Sequence, residues 1–150
     1  MDGTPKPSLL FICHKNGGRS QMAAAWARSL GSDAVDVTSA GVSPGTSLNA
    51  DVVTVLDDLD LDTSDEFPKA VTEEMIRNAT VVVSLKRDLE LPPRVVGPRY
   101  EVWELVDPDE EGLDGVRQTC EQIRIRVARL LDSLGVAQVR PVGRETKNRD

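Results

Sequence analysis

The stretch Leu9-Leu10-Phe11-Ile12-Cys13-His14-Lys15-Asn16-Gly17-Gly18-Arg19-Ser20 decides the fold of this chain. Its first four residues are all apolar, which is typical of a central parallel strand that is covered on both faces. Small and polar residues follow, and apolar residues with helical spacing begin just after Arg19. A strand that passes through a glycine-containing loop into a helix is the first unit of a parallel α/β sheet.

The loop between this strand and the helix has the composition of an anion site. Five residues separate Cys13 from Arg19, which is enough backbone to surround one phosphate-sized anion with inward-pointing N–H groups. The start of the helix adds unpaired N–H groups and the positive end of its dipole. We therefore predict that a tetrahedral oxyanion is bound by His14, Lys15, Asn16, Gly17, Gly18, Arg19 and Ser20.

Two residues of the loop are candidates for chemistry. The planar guanidinium of Arg19 binds two anion oxygens at once and stabilises negative charge in a transition state. The same donors and positive charge favour the thiolate form of Cys13, which makes this sulfur the expected nucleophile. Ser20 has a hydroxyl to offer that thiolate, and Asn16 belongs to a residue type that tolerates left-handed backbone angles.

A structural interpretation of the same residues stands beside the chemical one. Cys13 is then a buried cysteine before an ordinary turn that Gly17 and Gly18 make possible. His14 and Lys15 either tune the affinity for the anion or are solvated loop residues.

Length, charge and cysteine content limit the class of protein. At 150 residues with 3% aromatics, one compact domain with an aliphatic core is expected. The net charge is −7 and no basic cluster is present, which argues against nucleic acid partners. The apolar runs are too short for a membrane span, and the first residues lack a signal peptide's hydrophobic core, so we expect a cytoplasmic location. The two cysteines form neither a disulfide framework nor a metal site.

Strand and helix patterns alternate along the chain. They predict strands over 8–12, 35–40, 79–85 and 99–105, and helices over 19–30, 49–59, 72–78 and 113–134. Asn49 and Thr72 are the predicted N-caps of the second and third helices. This alternation predicts a single-domain α/β fold with a four-stranded parallel sheet and helices on both faces. The folded part is expected to cover residues 8–137, with flexible tails over 1–7 and 138–150.

The segment from Cys13 to Ala24 resembles the active-site loop of the low-molecular-weight tyrosine phosphatase superfamily. Within it, Arg19-Ser20-Gln21-Met22-Ala23 is similar to the arsenate reductase branch, because the phosphatases usually carry proline where Gln21 stands. Ser39-Ala40-Gly41 and the pair Pro68-Lys69 match that branch too. Lys69 then either reaches towards the anion or is a surface loop lysine.

The resemblance also implies a general acid. The superfamily carries this acid in an Asp-Pro pair after the fourth strand, where this chain has Asp107-Pro108. By resemblance, Asp107 protonates the departing oxygen. The alternatives are that this pair only begins a turn, or that Asp109 is the acid.

The thioredoxin-coupled arsenate reductases carry two further cysteines on and after the third strand, and residues 84–91 of this chain contain none. The spacing of Cys120 places it on the apolar face of the last helix, so we expect it in the core. The pattern resembles the single-cysteine arsenate–mycothiol transferases. This resemblance implies arsenate as substrate, no bound cofactor, mycothiol as the external thiol and a mycoredoxin as reductant.

The leading expectation is therefore an arsenate reductase with Cys13, Arg19 and Asp107 as catalytic residues. The nearest alternative is a tyrosine phosphatase that uses the same three residues on a phosphate ester. For this, the chain offers few aromatic wall residues, with Phe67 the one plausible candidate. A non-catalytic oxyanion-binding regulatory module is a third interpretation.

Overall fold

Four parallel strands form one sheet in the computed structural model, which describes residues 6–89, 91 and 98–139. The strands are β1 (Ser8–Cys13), β2 (Asp36–Gly41), β3 (Val81–Ser84) and β4 (Arg99–Val102). Their order across the sheet is β2-β1-β3-β4, so that β1 and β3 are central. The helices are α1 (Arg19–Gly31), α2 (Ala50–Asp58), α3 (Glu73–Asn78) and α4 (Leu113–Ser133), with short 3₁₀ turns at Ser32–Ala34 and Pro108–Glu110. The predicted four-stranded parallel α/β fold is confirmed.

Strand β1 is buried on both faces, which explains its continuous apolar run. Leu9 and Phe11 pack into the larger core together with residues of α1, α2 and α4. Leu10 and Ile12 point to the other face, into a smaller core that includes Ile76 of α3. Because successive side chains of a strand alternate between faces, one unbroken apolar segment supplies both cores.

Helix α4 covers the larger core with one apolar stripe. Its fully buried residues recur at three- and four-residue spacing, as an amphipathic helix requires, and include Val116, Cys120, Ile123 and Val127. Cys120 accepts a hydrogen bond from the indole Nε1 of Trp26 at 3.3 Å, inside that core. The core position predicted for Cys120 is confirmed.

Two predicted helix caps are present. The side chain of Asn49 accepts a hydrogen bond from Val52 N at the start of α2. The side chain of Thr72 accepts one from Met75 N at the start of α3. Each bond satisfies a backbone donor that has no partner inside the helix.

The predicted bounds of the last two strands were too wide. Strand β3 is confined to Val81–Ser84 rather than 79–85, and β4 ends at Val102 rather than at 105. Trp103 N still donates to Ser84 O, but the chain then leaves the sheet edge. It crosses to α1, where Leu105 O accepts a hydrogen bond from Arg19 Nη1 at 3.2 Å. Strand β4 is short because the chain turns to make this contact with α1. Sequence periodicity does not reveal such a contact.

Residues 1–5 and 140–150 of the predicted tails lie outside the described residues. Within the described part, Pro7 O accepts from Asp36 N at 2.9 Å, and Val139 N donates to Leu30 O at 2.8 Å. The innermost tail residues are thus bonded to the folded domain. Among the described residues, no helix combines the length and the apolar character that a membrane crossing needs.

The two isoleucines of α4 offer a matched test of its packing. Ile123 is fully buried, whereas Ile125 is 37% exposed. We expect Ile123→Ala to lower the free energy of unfolding by about 2–5 kcal/mol, because it leaves a cavity in the core. The same change at Ile125 should cost about 0.5 kcal/mol or less. Urea denaturation of both variants checks this, and equal losses would contradict the assigned orientation of α4.

Candidate active site

The loop of residues 14–18 lies at the carboxyl edge of the sheet, between Cys13 at the end of β1 and Arg19 at the start of α1. Ligands of parallel α/β sheets bind at this edge. The loop carbonyls are held by the segment that follows β2. Ser43 N donates to His14 O at 2.8 Å, Gly45 N to Lys15 O at 3.1 Å, and Asn49 N to Gly17 O at 2.8 Å. Because peptide N–H and C=O groups point in opposite directions, the N–H groups of these peptides are directed away from the anchoring amides.

Asn16 ties the loop together from inside. Its backbone is left-handed, with φ of 56°, as the residue type predicted. Its buried side chain donates from Nδ2 to Ser20 Oγ at 2.8 Å and accepts at Oδ1 from Lys69 N at 3.0 Å. Its carbonyl accepts from Gln21 Nε2 at 3.0 Å. One residue thereby joins the loop, the first turn of α1 and the segment that follows α2.

Gly41, at the end of β2, lets the neighbouring strand lie against the loop. A Cβ atom on Gly41 would lie 2.8 Å from His14 O and 2.9 Å from Asn16 N. Both of these atoms belong to backbone and have little freedom to move. Sequence analysis noted Ser39-Ala40-Gly41 only as a match and gave this glycine no role. The available signal was a glycine at the carboxyl end of a strand next to β1.

The sulfur of Cys13 is buried and faces a hydroxyl donor. Cys13 Sγ and Ser20 Oγ are 2.9 Å apart, and Cys13 is only 2% exposed. Ser20 Oγ already accepts a hydrogen bond from Asn16 Nδ2, so its single hydrogen remains for the sulfur. The arrangement therefore suits a sulfur nucleophile.

Arg19 and Asp107 meet beside this loop. Arg19 Nη2 lies 3.6 Å from Asp107 Oδ2, and the guanidinium is almost fully buried. The buried Nε of Arg19 has no hydrogen-bond partner among the described residues, which leaves a donor for an anion. A Cβ on Gly18 would lie 2.8 Å from Pro108 Cγ. The absence of a side chain at Gly18 thus allows the Asp107-Pro108 turn to approach the loop.

These groups open into one cavity of about 420 Å³. Cys13, Arg19 and Asp107 all line it, so the structure brings the three candidate catalytic residues together. The exposed side chains of His14 and Lys15 lie at the same cavity. Its opposite wall is formed by Gly45, Thr46, Ser47, Leu48 and Asn49. This wall was not predicted from the sequence, in which its one signal is the small and polar segment after β2.

Lys69 and Phe67 do not line this cavity within the described part of the chain. Lys69 Nζ lies 3.4 Å from Ser39 Oγ and 5.2 Å from the centroid of the Phe67 ring. Partial burial lowers the pKa of the Lys69 ammonium, and the nearby Glu66 carboxylate opposes this shift. The contribution of Lys69 to the loop is its backbone N–H, which binds the side chain of Asn16.

The side chain of Asp109, the alternative acid, lies outside the described part of the structure. Across the described ranges, no group of three or more His, Cys, Asp or Glu side chains gathers in a way that could hold a metal ion.

The structure is thus a parallel α/β sheet whose first strand ends in Cys13, and a short loop joins this strand to a helix that begins at Arg19. The chain belongs to the low molecular weight phosphotyrosine protein phosphatase family, whose sequence model matches residues 8–140, and within the superfamily to the arsenate reductase branch.

Named relatives agree with this placement. The glutaredoxin arsenate reductase of Synechocystis is 30% identical over 125 residues, which are 82% of this chain and 95% of that protein. The thioredoxin-dependent arsenate reductase of Corynebacterium glutamicum superimposes with a TM-score of 0.77 and 32% identity. The match covers 89% of this chain but only 64% of that longer one. An arsenate reductase solved in its phosphate-binding state has a TM-score of 0.78 and 29% identity, with 85% and 98% of the two chains covered.

The burial of Cys120 makes its reactivity testable. Desolvation raises the pKa of its thiol above the ordinary value of 9.0, while the hydrogen bond from Trp26 acts in the opposite direction. Alkylation requires the thiolate, so the raised pKa predicts that native Cys120 resists iodoacetamide at pH 8 and reacts once the chain unfolds. Mass spectrometry of the Cys13→Ser variant measures this directly. Rapid alkylation of Cys120 in the native protein would be inconsistent with its core position.

The packing of Gly41 against the loop predicts a matched pair of effects. Gly41→Ala places a methyl group against backbone atoms and should lower the free energy of unfolding by about 1–3 kcal/mol, as overpacking does. Gly45→Ala, on the cavity wall, has no atom within 4 Å of the new Cβ and should change it by about 0.5 kcal/mol at most. Chemical denaturation of the two variants decides the matter, and equal stability would argue against the close approach.

Proposed function

We propose that this protein is an arsenate reductase of the arsenate–mycothiol transferase type. The observation that carries the proposal is the meeting of Cys13, Arg19 and Asp107 in one anion-sized loop site, in a chain of the arsenate reductase branch. The relatives named above are arsenate reductases by description. Their descriptions differ in the reductant, so the reductant of this chain has to be inferred from its own cysteines.

In the first step, arsenate binds to the loop N–H groups and to Arg19 Nε. The thiolate of Cys13 attacks arsenic, a sulfur–arsenic bond forms, and one arsenic–oxygen bond breaks. Asp107 donates its proton to the departing oxygen, which leaves as water. Arg19 holds the remaining oxygens and stabilises the charge that accumulates on them. Arsenic stays in oxidation state V throughout this step.

In the second step, an external thiol takes over the arsenic. A bond forms between its sulfur and arsenic, the bond to Cys13 breaks, and the thiol proton returns to Asp107. The product is an arsenic(V)–thiol adduct. A redoxin thiolate then attacks the sulfur of that adduct outside this protein. A disulfide forms, and two electrons pass to arsenic, which leaves as arsenite.

The external thiol follows from the cysteine content. The chain has two cysteines in total, and Cys120 is buried against Trp26 within the core. Neither Cys120 nor any residue of the segment after β3 supplies a second thiol to the cavity. We propose mycothiol as this co-substrate and a mycoredoxin as its reductant. Because the reaction requires a reduced thiol pool, the cytoplasm is the proposed location.

Phosphatase activity is the second candidate function, because the same three residues would form and hydrolyse a phosphocysteine. The described lining of the cavity includes no Phe, Tyr or Trp side chain to hold a tyrosine ring. We therefore expect slow hydrolysis of an activated aryl phosphate and none of a phosphotyrosine peptide. A non-catalytic oxyanion-binding module is disfavoured by the joint presence of Cys13, Arg19 and Asp107.

The deciding experiment is arsenate turnover with mycothiol and mycoredoxin, beside glutathione–glutaredoxin and thioredoxin mixtures. We expect turnover with mycothiol, its loss in Cys13→Ser, and a decrease of about 10²–10⁴-fold in Asp107→Asn, which lacks the acid. Cys120→Ala is the matched control and should keep its turnover, because Cys120 lies in the core. Rapid phosphate-ester hydrolysis with no arsenate reduction under any thiol would make the protein a phosphatase instead.

A further inference from the structure

A second cavity adjoins the proposed active site. It has a volume of about 490 Å³ and lies between residues 86–88, which follow β3, and residues 104–107 and 110, which follow β4. Arg19 and Asp107 line this cavity as well as the anion cavity. Both side chains therefore border both cavities. A molecule in the second cavity would lie directly beside the acid and the arginine of the first.

Among the described residues that line the second cavity, positive and negative charges nearly balance. Lys86 and Arg87 are its basic residues besides Arg19. Its carboxylates, besides that of Asp107, are those of Asp88, Glu104 and Glu110. Arg87 is already paired with Glu104, and Arg19 lies beside Asp107.

Such a lining has a definite ligand preference. The paired cations leave no excess of positive charge for a ligand with several carboxylates. Closely spaced donors and acceptors of both kinds do suit a ligand rich in hydroxyl groups. The volume falls within the range of small-molecule sites.

We propose that this second cavity binds the uncharged, polyhydroxylated part of the external thiol. The inference rests on the proposed function, and it assigns the selectivity for the thiol to this cavity. Mycothiol, whose thiol is attached to a pseudodisaccharide, has the required chemistry. Glutathione, a tripeptide with two carboxylates, does not. With the sugar part in the second cavity, the thiol extends past Asp107 towards arsenic held on Cys13.

Direct binding tests the location without any turnover. The probe is S-methyl mycothiol, which has no reactive sulfur, titrated into the full chain with inorganic phosphate present. Val106 lines the second cavity and is 55% exposed. Val106→Trp should weaken binding of the probe about tenfold or more, because the indole occupies the space of the ligand. Val102→Trp is the control, since Val102 is 57% exposed and lines a different cavity.

The outcomes of this titration are distinct. Loss of binding in Val106→Trp alone supports the inference. No binding of the probe to the wild type, or equal binding by both tryptophan variants, overturns it even where arsenate turnover with mycothiol succeeds. If no thiol supports turnover, the proposed function fails separately. If Val106→Trp weakens phosphate binding as well, the indole has disturbed the anion site, and a charge variant decides.

That charge variant is Glu104→Gln, which removes the partner of Arg87 and gives the second cavity a surplus of positive charge. The ratio of kcat/KM for glutathione to that for mycothiol should rise about tenfold at low salt, because an anionic thiol gains from the freed cation. The change should lie in the KM for the thiol, with the KM for arsenate unaltered. Glu73→Gln, in an exposed ion pair with Arg77 on α3, is the matched control. An unchanged ratio in Glu104→Gln would overturn the inference.

Discussion

The hydrogen bonds of Asn16 are the constraint on which the site depends. A left-handed residue in the middle of the loop reverses the chain within a few residues, and its side chain holds the reversed shape. The Nδ2 bond reaches Cys13 through Ser20, so the same interaction that shapes the anion loop also orients the hydroxyl that faces the sulfur. The shape of the loop and the surroundings of the Cys13 sulfur therefore both depend on the Asn16 side chain.

Asp107, the proposed acid, lies in a segment that reaches the site from the far end of the sheet. Asp107 follows the edge strand β4, whose early end sends the chain across the sheet edge towards α1. Arg19 meets this segment twice, through Leu105 O and through the carboxylate. The Asp107-Pro108 turn then lies against Gly18, where any side chain would collide with the proline ring. Gly18 therefore makes room for the turn that carries Asp107, although the two positions are far apart in sequence.

The features that could be predicted from the sequence are those that depend on residues close together along the chain. The apolar run of β1, the stripe of α4 and the caps at Asn49 and Thr72 all depend on residues within a few positions of one another. The Cys13–Arg19 loop is equally local. The wall formed by residues 45–49, the role of Gly41 and the end of β4 depend on contacts between distant segments. A single sequence carries no periodic signal for such contacts. The place of Asp107 at this edge followed from its position after the fourth strand, whereas its role as acid came from resemblance.

The hydrogen bonds from residues 42–49 to the loop carbonyls have a consequence for which anions the loop can bind. A loop whose hydrogen bonds are formed before the ligand binds selects for the shape and charge of a tetrahedral oxyanion. Such a preorganised loop does not change shape to suit one central atom over another. Phosphate and arsenate share that shape and charge. Phosphate, the more abundant of the two, then competes with arsenate for binding to the loop. In the proposed mechanism, the two anions are therefore distinguished after binding, by the ease with which the Cys13 sulfur displaces oxygen from each central atom.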